Sequence, residues 1–286
     1  MKFGLCIPNN QGVNSVRELV DIAALGEDLG YDSVWVSEHL FHASYVAARL
    51  GDRPYHEALT VLTAAAMVTT RVRLGTSVLV LPWHHPARLA KQVATLDLLS
   101  GGRVDLGIGV AQTPDEFANL GVDYASRGAR TDETIDALRC LWTMDVPAFD
   151  GRFNAFSGLR FEPKPVQSPL PILVGGNSPR ALRRVREKGD GWHALSRSAS
   201  EIGDSIAAIG GKPCSLRVVV GFTDAAQKRP PHERRTLTGT AEDLREMVRA
   251  YAAAGVDELV VDANNPDLGA TRTCYERFRR EVVDAL

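Results

Sequence analysis

The sequence has no CxxC pair, no HExxH, no GxSxG and no GxGxxG after its first strand pattern. Its four cysteines (Cys6, Cys140, Cys214, Cys274) are scattered. That argues against a zinc site or a disulfide framework and fits a reduced, cytoplasmic setting. The seven histidines lack chelating spacing with carboxylates, so no metal is expected. Without GxSxG, or a lysine ending a strand, no nucleophile constellation stands out. No apolar run reaches the ~18 residues of a spanning helix, which excludes a membrane role. The opening MKFGLCIPNN has too short an apolar run for a signal peptide. A net charge of −2 leaves no electrostatic footprint for nucleic acid. Neither internal repeats nor low-complexity segments occur.

What is present is an ordinary globular composition, 44% hydrophobic and 24% charged over 286 residues. Strand patterns fall at Lys2–Pro8, Ser33–Ser37, Val72–Leu81 and Val104–Val110, then at Ile172–Val174, Gly191–Leu195, Leu216–Phe222 and Glu258–Val261. Helical patterns alternate with them at Val16–Leu29, Glu57–Thr69, Pro86–Leu99 and Asp115–Trp142, then at Pro179–Lys188, Glu201–Ile209, Ala241–Ala254 and Thr271–Ala285. Thr240 with Asp243 has the spacing of a capping box. The strands are continuous apolar runs, as parallel strands covered on both faces should be. Eight such units in about 250 residues predict an α/β fold of the (β/α)8 TIM-barrel type, with a doubly wound open sheet as the alternative. Phe149–Ser168 interrupts the rhythm with aromatics, glycines and prolines, and reads as an excursion before strand five.

Barrels gather function where strands end. Those ends are Pro8–Asn10, Ser37–His39, Ser77–Leu81, Val110–Gln112, Gly175–Ser178 and His193–Ser196. Glu38 and His39 form a candidate hydrogen-bonding or proton-transferring pair. At Gly175–Gly176–Asn177–Ser178 a strand ends, two glycines turn the chain, and a Ser-Pro pair opens a helix. That junction suits an anion on backbone N–H groups, and it suits plain helix capping equally well. Cys6 lies inside a strand and reads as a core thiol. With neither nucleophile nor metal in view, reactivity is expected from a bound organic cofactor.

Three segments carry a resemblance: GYDSVWVSEH (30–39), RVRLGTSVLVLPWHHPARLAKQVATLDLLSGGRVDLGIGVA (71–111) and LPILVGGNSPRALRRVREKGDGW (170–192). The chain resembles the luciferase-like monooxygenase superfamily, in particular its deazaflavin (coenzyme F420)-dependent oxidoreductases. The resemblance implies one barrel domain over residues 1–286 and a cofactor ring in the barrel mouth. The cofactor phosphate would rest on Gly175, Gly176, Asn177 and Ser178. A cis peptide at Ser77–Val78 would back the ring, and Val110, Ala111 and Gln112 would complete the cofactor site. His39 would be the active-site histidine and Glu38 its acidic neighbour. Where the family's sugar-phosphate dehydrogenases carry a glutamate, this chain has Gln112, and Arg197 is the single candidate for their basic pocket. That argues against a glucose-6-phosphate dehydrogenase and leaves His39 as the main titratable group near the ring. The implied function is hydride transfer between the deazaflavin and a small-molecule substrate, by a homodimer. The alternatives are a flavin mononucleotide (FMN)-dependent monooxygenase and a non-catalytic deazaflavin- or flavin-binding protein.

Overall fold

Strands and helices alternate along the chain, and every strand of the main sheet runs in the same direction. The computed structural model describes residues 1–225, 227 and 229–286. In chain order the strands are β1 (Lys2–Cys6), β2 (Ser33–Val36), β3 (Arg73–Thr76), β4 (Leu79–Val80) and β5 (Val104–Gly109). A two-stranded excursion follows, β6 (Phe149–Asp150) and β7 (Ala155–Phe156). Then come β8 (Ile172–Gly175), β9 (Gly191–Leu195), β10 (Cys214–Phe222), β11 (Leu237–Gly239) and β12 (Glu258–Asp262). Pairing runs β1, β2, β3 with β4, β5, β8, β9, β10, β12, and β12 returns to β1. This is the closed eight-stranded barrel that the alternation predicts, and the open-sheet alternative falls. The antiparallel hairpin β6–β7 is the excursion before the fifth barrel strand.

The helices cover the barrel for the usual reason: each has an apolar stripe. In α1 (Val16–Asp28), Leu19, Ile22, Ala23 and Gly26 are buried at i, i+3, i+4 and i+7. Full burial of Leu19 or Ile22 contributes roughly 1.5–3 kcal/mol each. Next come α2 (Ser44–Leu50), α3 (Ala58–Val68), α4 (Pro86–Ser100), α5 (Pro114–Asn119) and α6 (Arg127–Thr143). The remaining helices are α7 (Pro179–Lys188), α8 (Ala199–Ile206), α9 (Ala241–Ala253) and α10 (Leu268–Arg277). Ser178 caps α7 by accepting from the Ala181 N–H, and Thr240 with Asp243 forms the expected capping box of α9.

Two expectations need correction. The apolar run Val72–Leu81 is not one strand. It breaks at Ser77–Val78, whose peptide bond is cis, and resumes as β4. The helical region Asp115–Trp142 is two helices, because Gly121 at φ +66° and the Asp123 side chain, accepting from Ala125 and Ser126, stop the chain between them. The short helix α2 and strand β11 leave no periodic signal in the sequence, because each is brief.

Candidate active site

All the barrel strands point their C-terminal ends at one rim, and a cavity of about 610 Å³ opens there. Glu38 and His39, at the end of β2, line it. So do Ser77 and Val78 between β3 and β4, and Val110, Ala111 and Gln112 after β5. Gly175 and Gly176, at the end of β8, complete the far wall. The structure thus brings nine of the eleven expected positions into one space. Asn177 and Ser178 are not in the wall. The Asn177 side-chain amide is tied to Leu195, and the Ser178 hydroxyl caps α7.

The β8 side is built from backbone. A Cβ on Gly175 would lie 2.8 Å from the Val78 side chain, and one on Gly109 would lie 2.6 Å from it, so Val78 packs where only glycine fits. Gly176 has φ +104°, which favours glycine. Among the described residues, no protein acceptor meets the backbone N–H groups of Asn177 or Ser178. These donors sit at the N-terminus of α7, where the helix dipole adds partial positive charge.

The β2 side is built from side chains, and Glu38 and His39 do not act as one pair. The Glu38 carboxylate accepts from the Val80 N–H at 2.7 Å and meets His84 Nε2 at 2.9 Å. It therefore holds β4 against β2. Burial works against charge on His84, but the Glu38 contact outweighs it and raises the His84 pKa. His39 turns the other way. Its Nδ1 lies 2.7 Å from Glu116 Oε2, and its Nε2 lies 2.6 Å from the Tyr45 hydroxyl. Glu116 also accepts from the Leu40 and Phe41 N–H groups and from the Thr113 hydroxyl. Burial alone would raise the Glu116 pKa, yet His39, Thr113 and Phe41 together lower it. The expectation that His39 stands as the main titratable group is therefore corrected: a carboxylate four residues beyond Gln112 engages it directly.

Beneath the mouth lies a further group, Arg217 and His193, of which only His193 falls at a strand end named above. Arg217 of β10 donates to Ser37 Oγ at 2.6 Å, to the Ser77 carbonyl at 3.0 Å and to Asp262 at 2.6 Å. His193 bridges Ser77 Oγ and Ser215 Oγ and stacks on Trp35 at 4.6 Å. Burial, helped by Arg217, pushes the His193 pKa down to about 3, so this imidazole stays neutral. The pair fixes the Ser77–Val78 turn from below. Signals existed: Arg217 interrupts an apolar strand run, and Thr113 with Glu116 has capping-box spacing. Arg197 is not in the cavity wall, and its guanidinium is paired with Glu201. Cys6 is buried with its thiol pKa pushed up to about 12, an inert core group. Among the described residues no His, Cys, Asp or Glu cluster could hold a metal ion, and no helix is long and apolar enough to cross a membrane.

This fold and site define a class. The family model of luciferase-like monooxygenases matches residues 1–222, and the chain belongs to that family of oxidoreductases. Within it, an uncharacterized protein of Mycobacterium tuberculosis is 35% identical over 201 residues, covering 66% of this chain and 69% of that one. The F420-dependent glucose-6-phosphate dehydrogenase of Amycolatopsis mediterranei is 35% identical over 190 residues, covering 65% of this chain and 55% of that enzyme. A solved monooxygenase from Streptomyces bottropensis superposes with a TM-score of 0.83 at 23% identity, covering 100% of this chain and 99% of that one, and so shares the fold.

Proposed function

We propose that the chain is a coenzyme F420-dependent oxidoreductase acting on a small organic substrate. The observation that carries this reading is that one cavity has a glycine turn with unpartnered backbone N–H groups beside it on one side, and a histidine with a carboxylate behind it on the other. A deazaflavin needs both: a seat for its phosphate and a charged or proton-exchanging group near its ring. The unpartnered N–H groups of Asn177 and Ser178, beside a glycine that leaves room for close approach, fit a phosphate. Ser77 and Val78, braced by Arg217 and His193, give the ring a rigid wall, with Val110, Ala111 and Gln112 at its rim. When bound, the deazaflavin supplies the hydride carrier. The chain's own work is to hold it, to exclude water and to place His39. In this reading Glu38 is a positioning residue, because its carboxylate is already engaged by Val80 and His84.

The resemblance to F420-dependent relatives supports this cofactor over FMN, which has the same phosphate chemistry. Parallel fluorescence titration with F420 and FMN tests the choice. Preference for F420 is expected, and binding of FMN tenfold tighter than F420 overturns it. Turnover of bound deazaflavin with any acceptor then separates an enzyme from a binding protein. The homodimer belongs to the same reading, and light scattering checks it.

A further inference from the structure

His39 does not present a free ring nitrogen to the cavity. Glu116, fully buried, occupies Nδ1, and the Tyr45 hydroxyl occupies Nε2 at 2.6 Å. The phenol is the outermost of the three groups: Tyr45 is 57% exposed and lines the cavity. A carboxylate on Nδ1 keeps a hydrogen there, which leaves Nε2 as the atom that exchanges a proton with the phenol. The three groups thus form a line from a buried carboxylate to the reacting space. We infer that Tyr45 is the residue that exchanges a proton with the substrate, and that the substrate is one partner of an alcohol–carbonyl pair.

This inference rests on the deazaflavin reading above. In the oxidising direction the substrate hydroxyl gives its proton to the Tyr45 oxygen as Tyr45 passes its own to His39 Nε2. The carbinol carbon loses a hydride to the deazaflavin, and a C=O bond forms. One proton and one hydride leave the alcohol, the proton resting on His39 opposite the Glu116 carboxylate and the hydride on the oxidant. Reduction is the reverse. A single-proton relay ending in a phenol matches this chemistry, since a hydride and a proton together interconvert an alcohol and a carbonyl. The charged and titratable groups around the relay are Glu116, Arg49, Arg217, Glu38 and Tyr55. Arg49 stands one helical turn from Tyr45 on α2 and donates to Gln11. Burial raises the Tyr45 pKa and keeps the resting phenol protonated, and Arg49 opposes that rise, favouring negative charge on the oxygen during transfer.

Tyr45→Phe tests this, because an exposed ring keeps its edge contact with His39, at 5.5 Å between centroids, and loses only the oxygen. The first readout needs no cofactor: the 15N spectrum of histidine-labelled enzyme. Tyr45→Phe should move the His39 Nε2 resonance and leave Nδ1 as the protonated nitrogen; an unchanged Nε2 overturns the relay. The second is turnover with bound F420 against a panel of secondary alcohols and ketones. Tyr45→Phe should lower kcat by roughly 10²-fold or more, displace the pH profile, and leave F420 affinity within threefold. A kcat within twofold of wild type overturns the role of Tyr45. Wild type that binds F420 but turns over no member of the panel overturns the substrate class. A chain that binds no F420 overturns the cofactor reading instead, while the spectrum still decides the relay.

Discussion

The two walls of the cavity are made of different material. On the β8 side the cavity is lined by Gly175 and Gly176, which bring no side chain, and the nearby Asn177 and Ser178 side chains are engaged elsewhere. On the β2 side the cavity is lined by titratable side chains, His39 and Tyr45, with Glu116 buried behind His39. A backbone seat has no pKa and cannot be altered without changing the chain path. It suits binding. A side-chain relay can be cut at one atom without disturbing its neighbours. It suits chemistry. The difference predicts that affinity and turnover can be broken separately in this protein.

The largest effect should come from the reactive wall. His39→Ala should lower kcat by roughly 10²–10⁴-fold, the usual contribution of acid–base catalysis, while cofactor affinity changes far less. Steady-state rates at full F420 saturation, set by fluorescence, measure it. A variant with wild-type kcat makes His39 a structural residue and collapses the contrast between the walls. The binding wall gives the second effect. Gly176→Val puts a branched side chain at φ +104°, with its Cβ about 3.3 Å from that of Ala181. F420 affinity should fall tenfold or more, about 1.4 kcal/mol. Unchanged affinity in a folded variant removes this turn as the phosphate seat.

The two walls were unequally legible from sequence. The β8 wall is local: Ile172 to Lys188 contains strand, glycine pair, cap and helix in order, and the structure keeps the helix at Pro179–Lys188. The β2 wall depends on contacts between distant residues. Glu116 lies 77 positions from His39, and no local pattern aims it there. Arg217 stands out as a charge in an apolar run, but nothing local shows that it reaches Ser37, 180 positions away. Periodicity also fails where a run changes direction without changing composition. Val72–Leu81 stays apolar throughout, so the break at Ser77–Val78 leaves no mark in hydropathy and is readable through family resemblance alone.

A third test sharpens the claim that the β8 wall binds through backbone. The Ser178 hydroxyl accepts from the Ala181 N–H at 3.2 Å, an N-cap. Ser178→Ala should cost about 1 kcal/mol of stability, which at this chain length lowers Tm by roughly 2 °C. Its effect on F420 affinity should be smaller than that of Gly176→Val, since the proposed phosphate seat is made of backbone N–H groups, which remain. Calorimetry and titration on one sample decide between them. An affinity loss as large as that of Gly176→Val, with Tm unchanged, means the hydroxyl itself touches the ligand.

The smallest expected effect concerns pH and stability, and two groups of the β2 side contribute to it with opposite sign. His84 is raised above its ordinary pKa because Glu38 outweighs the burial that opposes its charge. A histidine raised in the folded state stabilises the fold fully below its unfolded pKa near 6.5, and that contribution fades as pH rises through the higher folded value. Glu116 behaves oppositely. Its pKa is lowered, so its contribution is present above the unfolded value near 4.5 and fades as pH falls through the folded one. Chemical denaturation of the cofactor-free chain across pH should therefore lose a little stability above pH 6.5. His84→Asn should remove that limb, because an amide can still donate to Glu38 but cannot titrate. It should leave the acid limb, where Glu116 is one contributor, in place. If the limb above pH 6.5 survives in His84→Asn, another titrating group carries it, the buried Glu258 first, whose pKa burial raises to about 7.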